Sequence, residues 1–375
     1  HYLEHMMFKG THLYGTTDYE KERPYLEQIY DLYELYGQTT DPAQRAAIYH
    51  QIDSISYLSS QVAIANEFDK LMSLIGASGV NAYTSADRTC YHEVIPAGEL
   101  RRWAMIESDR FQNMVLRGFH TELEAVYEEF NMYSTMDQDK VMLAVDNILY
   151  PDVPYRQHSV IGTQEHLKNP SLKNIKKFYD NYYRPNNVVI CLSGDLDYDK
   201  TIAIVDEYFG SWQPSDHIPA FVTPEQAALT VHKDTIVYGK EAPEVWMGWR
   251  MPAITHEDID AIEVMEQVLQ NGKCGLLDVD VDQKQLMLSV GAGALSGRDF
   301  TTFYLIGQPK EGQTLEQVRQ ILLAEIEKLK RGEFSDRMLQ AINANQRRHE
   351  MQRLESNRAR ADMFLTAFIY NIPYA

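Results

Sequence analysis

Cysteine is scarce: three in 375 residues, Cys90, Cys191 and Cys274, odd in number and far apart. No disulfide framework can be read from them, and no C-x-x-C pair marks a thiol redox site. Cys90 and Cys191 stand in apolar, strand-like surroundings and are expected to be buried small hydrophobes. No apolar run approaches the roughly 20 residues that cross a bilayer. Positive charge is also short, with 35 Lys and Arg against 54 Asp and Glu, a net charge of −19. That balance disfavours nucleic acid and anionic membrane surfaces as partners. What remains is 44% hydrophobic and 24% charged, a globular composition long enough for two domains with their own cores.

The chain opens His1-Tyr2-Leu3-Glu4-His5. On a helix, residues four apart share a face, about 6 Å apart along the axis at ~1.5 Å per residue. His1 and His5 can therefore turn imidazole nitrogens to one ion, at a Zn–N distance of about 2.0–2.1 Å. Glu4 is beside His5 and one turn from His1, so its carboxylate can reach a water without being a ligand. The order H-x-x-E-H is a catalytic zinc pattern. With 12 histidines in the chain, chance yields it roughly 0.03 times per sequence of this length. The bland alternative is a pair of surface histidines on an ordinary helix.

Catalytic zinc needs a third protein ligand and an open position. Candidates lie in the run Thr121-Glu122-Leu123-Glu124-Ala125-Val126-Tyr127-Glu128-Glu129-Phe130-Asn131. Glu122 and Glu129 are seven apart, so two helical turns place both carboxylates on one face. By itself this run also reads as a solvated acidic face, as most such charge runs are.

The residues around both stretches resemble one family. His1 to Thr11 is similar to the active-site helix of the insulinase/pitrilysin peptidases, the M16 family that includes mitochondrial processing peptidase. Gly79-Val80-Asn81-Ala82-Tyr83-Thr84-Ser85 resembles its substrate-binding edge strand, and Glu122 to Asn131 its second zinc-site helix. Tyr183-Arg184-Pro185-Asn186-Asn187 through Asp195 resembles the strand that closes its first domain. The resemblance implies that His1, His5 and Glu129 are zinc ligands, with one Zn2+ in the catalytic domain. It makes Glu4 the general base and Glu122 an accessory carboxylate. Asn81, Ala82, Tyr83 and Thr84 would capture an extended peptide through main-chain hydrogen bonds, as strand addition does. Glu129 follows His5 by more residues than is usual in the family, and the excess falls in 18–66, which marks an insertion. Glu128 stays open as an alternative ligand to Glu129.

The fold so implied is α+β: two related M16-type domains, each a mostly antiparallel sheet packed with helices. The expected boundaries are a catalytic domain over 1–213 and a second, non-catalytic domain over 214–375. Trp212-Gln213-Pro214-Ser215-Asp216-His217-Ile218-Pro219 reads as the linker. Within 18–66, Tyr25, Ile29, Leu32, Tyr33 and Tyr36 keep a helical stripe. Gly37 to Thr40 ends it, and Asp41-Pro42 supplies an N-cap and an N1 proline for a second helix. Helices are also expected over 100–111, 123–147, 258–270 and 315–331, and strands over 244–250 and 286–290. The order strand, turn, helix in 301–331 echoes 187–210. Gly291-Ala292-Gly293-Ala294-Leu295-Ser296-Gly297 resembles a dinucleotide loop, but the β-rich run Phe300 to Ile306 follows where a helix must start. It reads as a hairpin bend.

Two function classes follow. The intact five-residue motif favours a zinc endopeptidase that hydrolyses unfolded peptides in an enclosed chamber. A second pair of M16-type domains, on the same full-length chain or a partner subunit, would close that chamber. The competing class is a non-catalytic M16-like scaffold or partner subunit, in which metal motifs are usually degraded. Because the first residue already belongs to the motif, the chain is expected to be a fragment. The inserted segment resembles bacterial cell-envelope members, which implies a periplasmic location without excluding the cytoplasm.

Overall fold

The computed structural model describes residues 1–373. The elements run α1 (Tyr2–Met6), α2 (Tyr19–Gln38), α3 (Pro42–Ser60), α4 (Glu67–Leu74), β1 (Ser78–Thr84), β2 (Thr89–Val94), α5 (Leu100–Gln112), α6 (Phe119–Ser134), α7 (Asp137–Leu149), α8 (Gln164–Lys168), α9 (Leu172–Tyr182) and α10 (Tyr198–Phe209). They continue with β3 (Val245–Met251), α11 (Ile259–Leu269), β4 (Ser289–Ser296), β5 (Thr301–Gln308), α12 (Leu315–Lys330), α13 (Asp336–Arg353) and α14 (Asn357–Tyr370). The architecture is α+β with antiparallel sheets.

Two compact units emerge, each built from two stretches of chain. One is His1–Thr135 with His158–Val222; the other is Met136–Gln157 with the chain from Thr223 onward. The passage between units is thus not confined to the proline-marked segment at 212–219.

In the first unit, α1 has five residues, far too few to persist in water alone. Packing holds it. Met6 and Met7 are fully buried and Leu3 nearly so, each contributing about 1.5–3 kcal/mol on area grounds. They join Ile29 and Tyr33 of α2, Ile48 and Ile52 of α3, and Phe119, Leu123 and Val126 of α6 in one core. The helical hairpin of 18–66 forms where its pattern indicates. Asp41 accepts the Gln44 N–H at 2.8 Å and Pro42 opens α3.

The helix expected over 123–147 is two helices. The Ser134 and Thr135 hydroxyls donate back to the carbonyls of Phe130 (2.7 Å) and Met132 (2.8 Å), and Met136 turns extended. Such back-bonding competes with helix continuation.

β1 and β2 form a two-stranded antiparallel ladder, with Ala82 opposite Tyr91 and Thr84 opposite Thr89. The register slips between Ser78 and Asn81, where Gly79 takes a φ of +60°, a conformation that favours glycine in a bulge. The strand expected after Tyr183 is instead a 3-10 turn, Pro185–Asn187, followed by a segment outside every ladder over 188–192. Ile190 and Leu192 pack on the core cluster that holds Phe68, Met72 and Trp103. Cys90 and Cys191 are half-buried, not fully buried, and Cys274 is exposed.

In the second unit the sheet order is β3-β5-β4, antiparallel throughout. The strand expected at 286 starts three residues later, because the Leu286 N–H still closes a helical turn on the Val281 carbonyl at 2.9 Å. The glycine-rich run is itself strand β4, and only 297–300 bends, with Gly297 N–H to Phe300 O at 3.0 Å. Gly293 is small for a reason: a Cβ there would collide with the Tyr304 hydroxyl. Gly248 of β3 likewise admits α7, since a Cβ would stand 2.9 Å from Val145 Cγ1.

Candidate metal centre

His1 caps α1 and His5 lies in its last turn, with the His5 N–H on the His1 carbonyl at 3.3 Å. Their rings face each other edge-on, centroids 4.7 Å apart. α6 packs alongside through Phe119 and Val126, which brings its acidic face to the same point. Glu129 then stands 3.6 Å from His1 Nε2 through one oxygen and 3.6 Å from His5 Nε2 through the other. One donor atom from each of the three lies within 4.8 Å of the other two. Glu128, one residue earlier, is exposed.

These separations test the fit to a cation. At 3.6 Å the pairs are too far apart for hydrogen bonds. Bonds of about 2.0–2.1 Å in tetrahedral directions set ligand atoms about 3.3 Å apart, within a few tenths of an ångström of the two histidine–glutamate distances. Two imidazoles and a carboxylate also form the donor set of catalytic zinc sites, which keep one position open. The residues fit the ion.

Glu122, one turn into α6, accepts from or shares a proton with His5 Nδ1 at 2.8 Å and is paired with the Lys9 ammonium. Burial pushes the Glu122 carboxyl up, but the bonds from His5 and Lys9 outweigh it and hold the group below its ordinary range. A charged carboxylate on Nδ1 fixes the ring orientation and leaves Nε2 directed at Glu129, the usual second partner of a ligating histidine.

Glu4, beside His5 in α1, is only 8% exposed. Its Oε2 accepts from Thr84 Oγ1 at 2.5 Å. Thr84 ends β1, so the strand read as a substrate edge reaches the site through that side chain. Asn81 is exposed and Ala82 and Tyr83 are half-buried on the same strand. Among the described residues the ladder of β1 is with β2.

The sequence did not expose the groups that hold this arrangement. Lys9 is four residues past His5 and could have been found by continuing the helical face. Arg117 carried no such signal. Its five donors are all used: Nε and Nη2 on the Glu22 carboxylate (2.7 and 2.8 Å), Nη1 on the carbonyls of Lys9 (2.8 Å) and Tyr14 (3.2 Å), and Nη2 on Thr11 O (2.8 Å). The pair is buried, and it ties the turn after α1 to α2. Gly10 and Gly15, at φ +91° and +87°, leave the guanidinium its space.

Residues 170–345 match the family model described as the peptidase M16 inactive domain. The zinc protease PqqE of Helicobacter pylori is 27% identical over 347 residues, 89% of this chain and 77% of that protein. An uncharacterized zinc protease of Bacillus subtilis, YmxG, is 26% identical over 334 residues, 86% and 78% of the two chains. A protease of Helicobacter pylori has a crystal structure that superposes with a TM-score of 0.73 at 26% identity, over 82% of this chain and 76% of that one. These likenesses are to M16 peptidases and to proteins named zinc proteases. The first half of the periplasmic protease PqqL from Escherichia coli has the same fold, with a TM-score of 0.69 over 100% of this chain and 73% of that one at 15% identity. None of His1, Glu4, His5, Glu122 and Glu129 falls within 170–345, so "inactive" describes a segment apart from this centre.

Proposed function

We propose that this chain is a zinc-dependent endopeptidase of the M16 type. The observation that carries the reading is the convergence of His1, His5 and Glu129 to within 4.8 Å of one another. These three would hold the ion, and Glu122 with Lys9 behind it would orient His5. A bound zinc supplies Lewis acidity, polarising a peptide carbonyl and lowering the pKa of water from 15.7 toward ~7. Glu4 takes the proton of the attacking water and returns it to the leaving amine. An extended peptide adds to β1 by main-chain hydrogen bonds at Asn81 to Thr84, which suits unfolded substrates of varied sequence. A second pair of M16-type domains, on the full-length chain or a partner, would complete an enclosed chamber around it. The proposed domains are 1–213, catalytic, and 214–375, non-catalytic, with 136–157 packed with the second. Among the described residues no helix is long and apolar enough to cross a membrane; a periplasmic location is supported by the likeness to PqqL, a periplasmic protease.

The description "inactive domain" for 170–345 favours a second reading, a non-catalytic M16-like scaffold or partner subunit. Elemental analysis and cleavage of a quenched fluorogenic peptide library by the full-length protein separate the two. The enzyme reading expects about one zinc per chain and turnover that disappears in Glu4→Gln with zinc retained. Metal-free, inert full-length protein would leave the scaffold reading in its place.

A further inference from the structure

We infer that Thr84 is the positioning residue for Glu4, so that one strand both receives the substrate and aims the base. This rests on the reading of Glu4 as general base. Glu4 is almost wholly buried, and a buried carboxylate needs a donor. Thr84 Oγ1 supplies it at 2.5 Å, the length of a charge-assisted O–H to carboxylate bond. A glutamate side chain has three rotatable bonds and no fixed aim of its own. Threonine is β-branched and stiff at χ1, and its backbone is pinned opposite Thr89 in the ladder. With Oε2 committed to that hydroxyl, Oε1 is left for the water.

The anchor continues behind Thr84. Its Oγ1 is 3.4 Å from Thr89 Oγ1, Thr89 neighbours the Tyr183 hydroxyl, and Tyr183 meets Tyr91 at 2.8 Å between hydroxyls. The Tyr91 ring lies 4.7 Å from the fully buried Arg110 guanidinium. The base is thus tied through β1 and β2 to the deepest packed part of the unit. Placement errors near 1 Å cost on the order of 100-fold in rate, so the hydroxyl is worth far more to turnover than to binding.

The test uses the full-length protein as wild type, Thr84→Val, Thr84→Ser and Glu4→Gln, with kcat and KM measured on a fluorogenic peptide. Thr84→Val should lower kcat by about 10- to 100-fold with KM changed less than about threefold, at unaltered zinc content. Thr84→Ser should recover most of the loss. A second readout needs no metal: Thr84→Val should lower the thermal midpoint of the metal-free chain when Glu4 is present and leave it unmoved in a Glu4→Ala background. Unchanged kcat in Thr84→Val, a loss confined to KM, no recovery by serine, or additive midpoint shifts would each overturn the positioning role while leaving Glu4 as base. Full activity in Glu4→Gln would instead remove the base assignment, and the inference with it.

Discussion

Replacing Arg117 by Met should destabilise the first unit severely. Arg117 and Glu22 are 4% and 0% exposed, joined by two hydrogen bonds of 2.7 and 2.8 Å. Removing the guanidinium strands a carboxylate that water cannot reach, which costs about 3–5 kcal/mol. The carbonyls of Lys9, Thr11 and Tyr14 lose a donor as well, at roughly 1 kcal/mol for each one left unsatisfied. Taking about 4 kcal/mol for the stranded carboxylate alone, and a urea dependence of about 2–3 kcal/mol per molar for a unit of this size, the midpoint falls by at least about 1.3–2 M. Native-state hydrogen exchange of peptides from α5 and α6, followed through a urea series, reads this unit separately from the other. Arg117→Lys, a point charge in place of a five-donor fork, should fall between. The double change Glu22→Leu with Arg117→Met should recover most of the loss, because a buried pair exchanged for apolar groups is close to neutral. A midpoint shift under 0.5 M, on the same scale, or a double variant no better than the single, would refute the reasoning.

Other perturbations separate roles in the same way. Glu129→Gln should abolish zinc retention in elemental analysis while Glu128→Gln keeps it, since only Glu129 faces the histidines. Gly37→Ala, inside α2 with open space around it, should stabilise by about 0.5–1 kcal/mol. Gly15→Ala, at φ +87° and against Arg117, should destabilise by more than that in the same denaturation assay. Glu122 titrates below its ordinary 4.5 in the folded chain, so it stabilises fully above that value and loses the contribution as pH falls beneath it. Glu122→Gln should therefore flatten the acid limb of stability in metal-free protein below pH 4.5.

How much of this was legible depended on whether a residue's partner was local. His1, Glu4 and His5 are fixed by one helical turn, and Glu122 and Glu129 by two, so their facing could be worked out from spacing. Asp41-Pro42 announced α3 because caps are local chemistry. The partner of Glu4 was not legible. Thr84 was read as part of a substrate edge, and nothing in a strand pattern says that its hydroxyl reaches across 80 residues of sequence to a carboxylate. Arg117 was silent for the same reason, its acceptors lying on a turn and a helix about 100 residues earlier. The strand expected after Tyr183 differs in another way: its alternating apolar residues mark a buried face, and Ile190 and Leu192 do pack on a core.

The interleaving of the two units governs how the polypeptide can be divided. Because Met136–Gln157 folds with the later chain, a recombinant piece ended near 213 would keep a helix whose Val145 and Leu149 no longer meet Gly248. It would also strip Tyr150 of its hydroxyl partner, Thr302. The complementary piece would expose the face that the helix covers. Neither half is therefore a natural module for grafting or minimisation. A scheme for swapping catalytic halves between relatives has to move 136–157 with the recipient sheet and rejoin the backbone at three places instead of one.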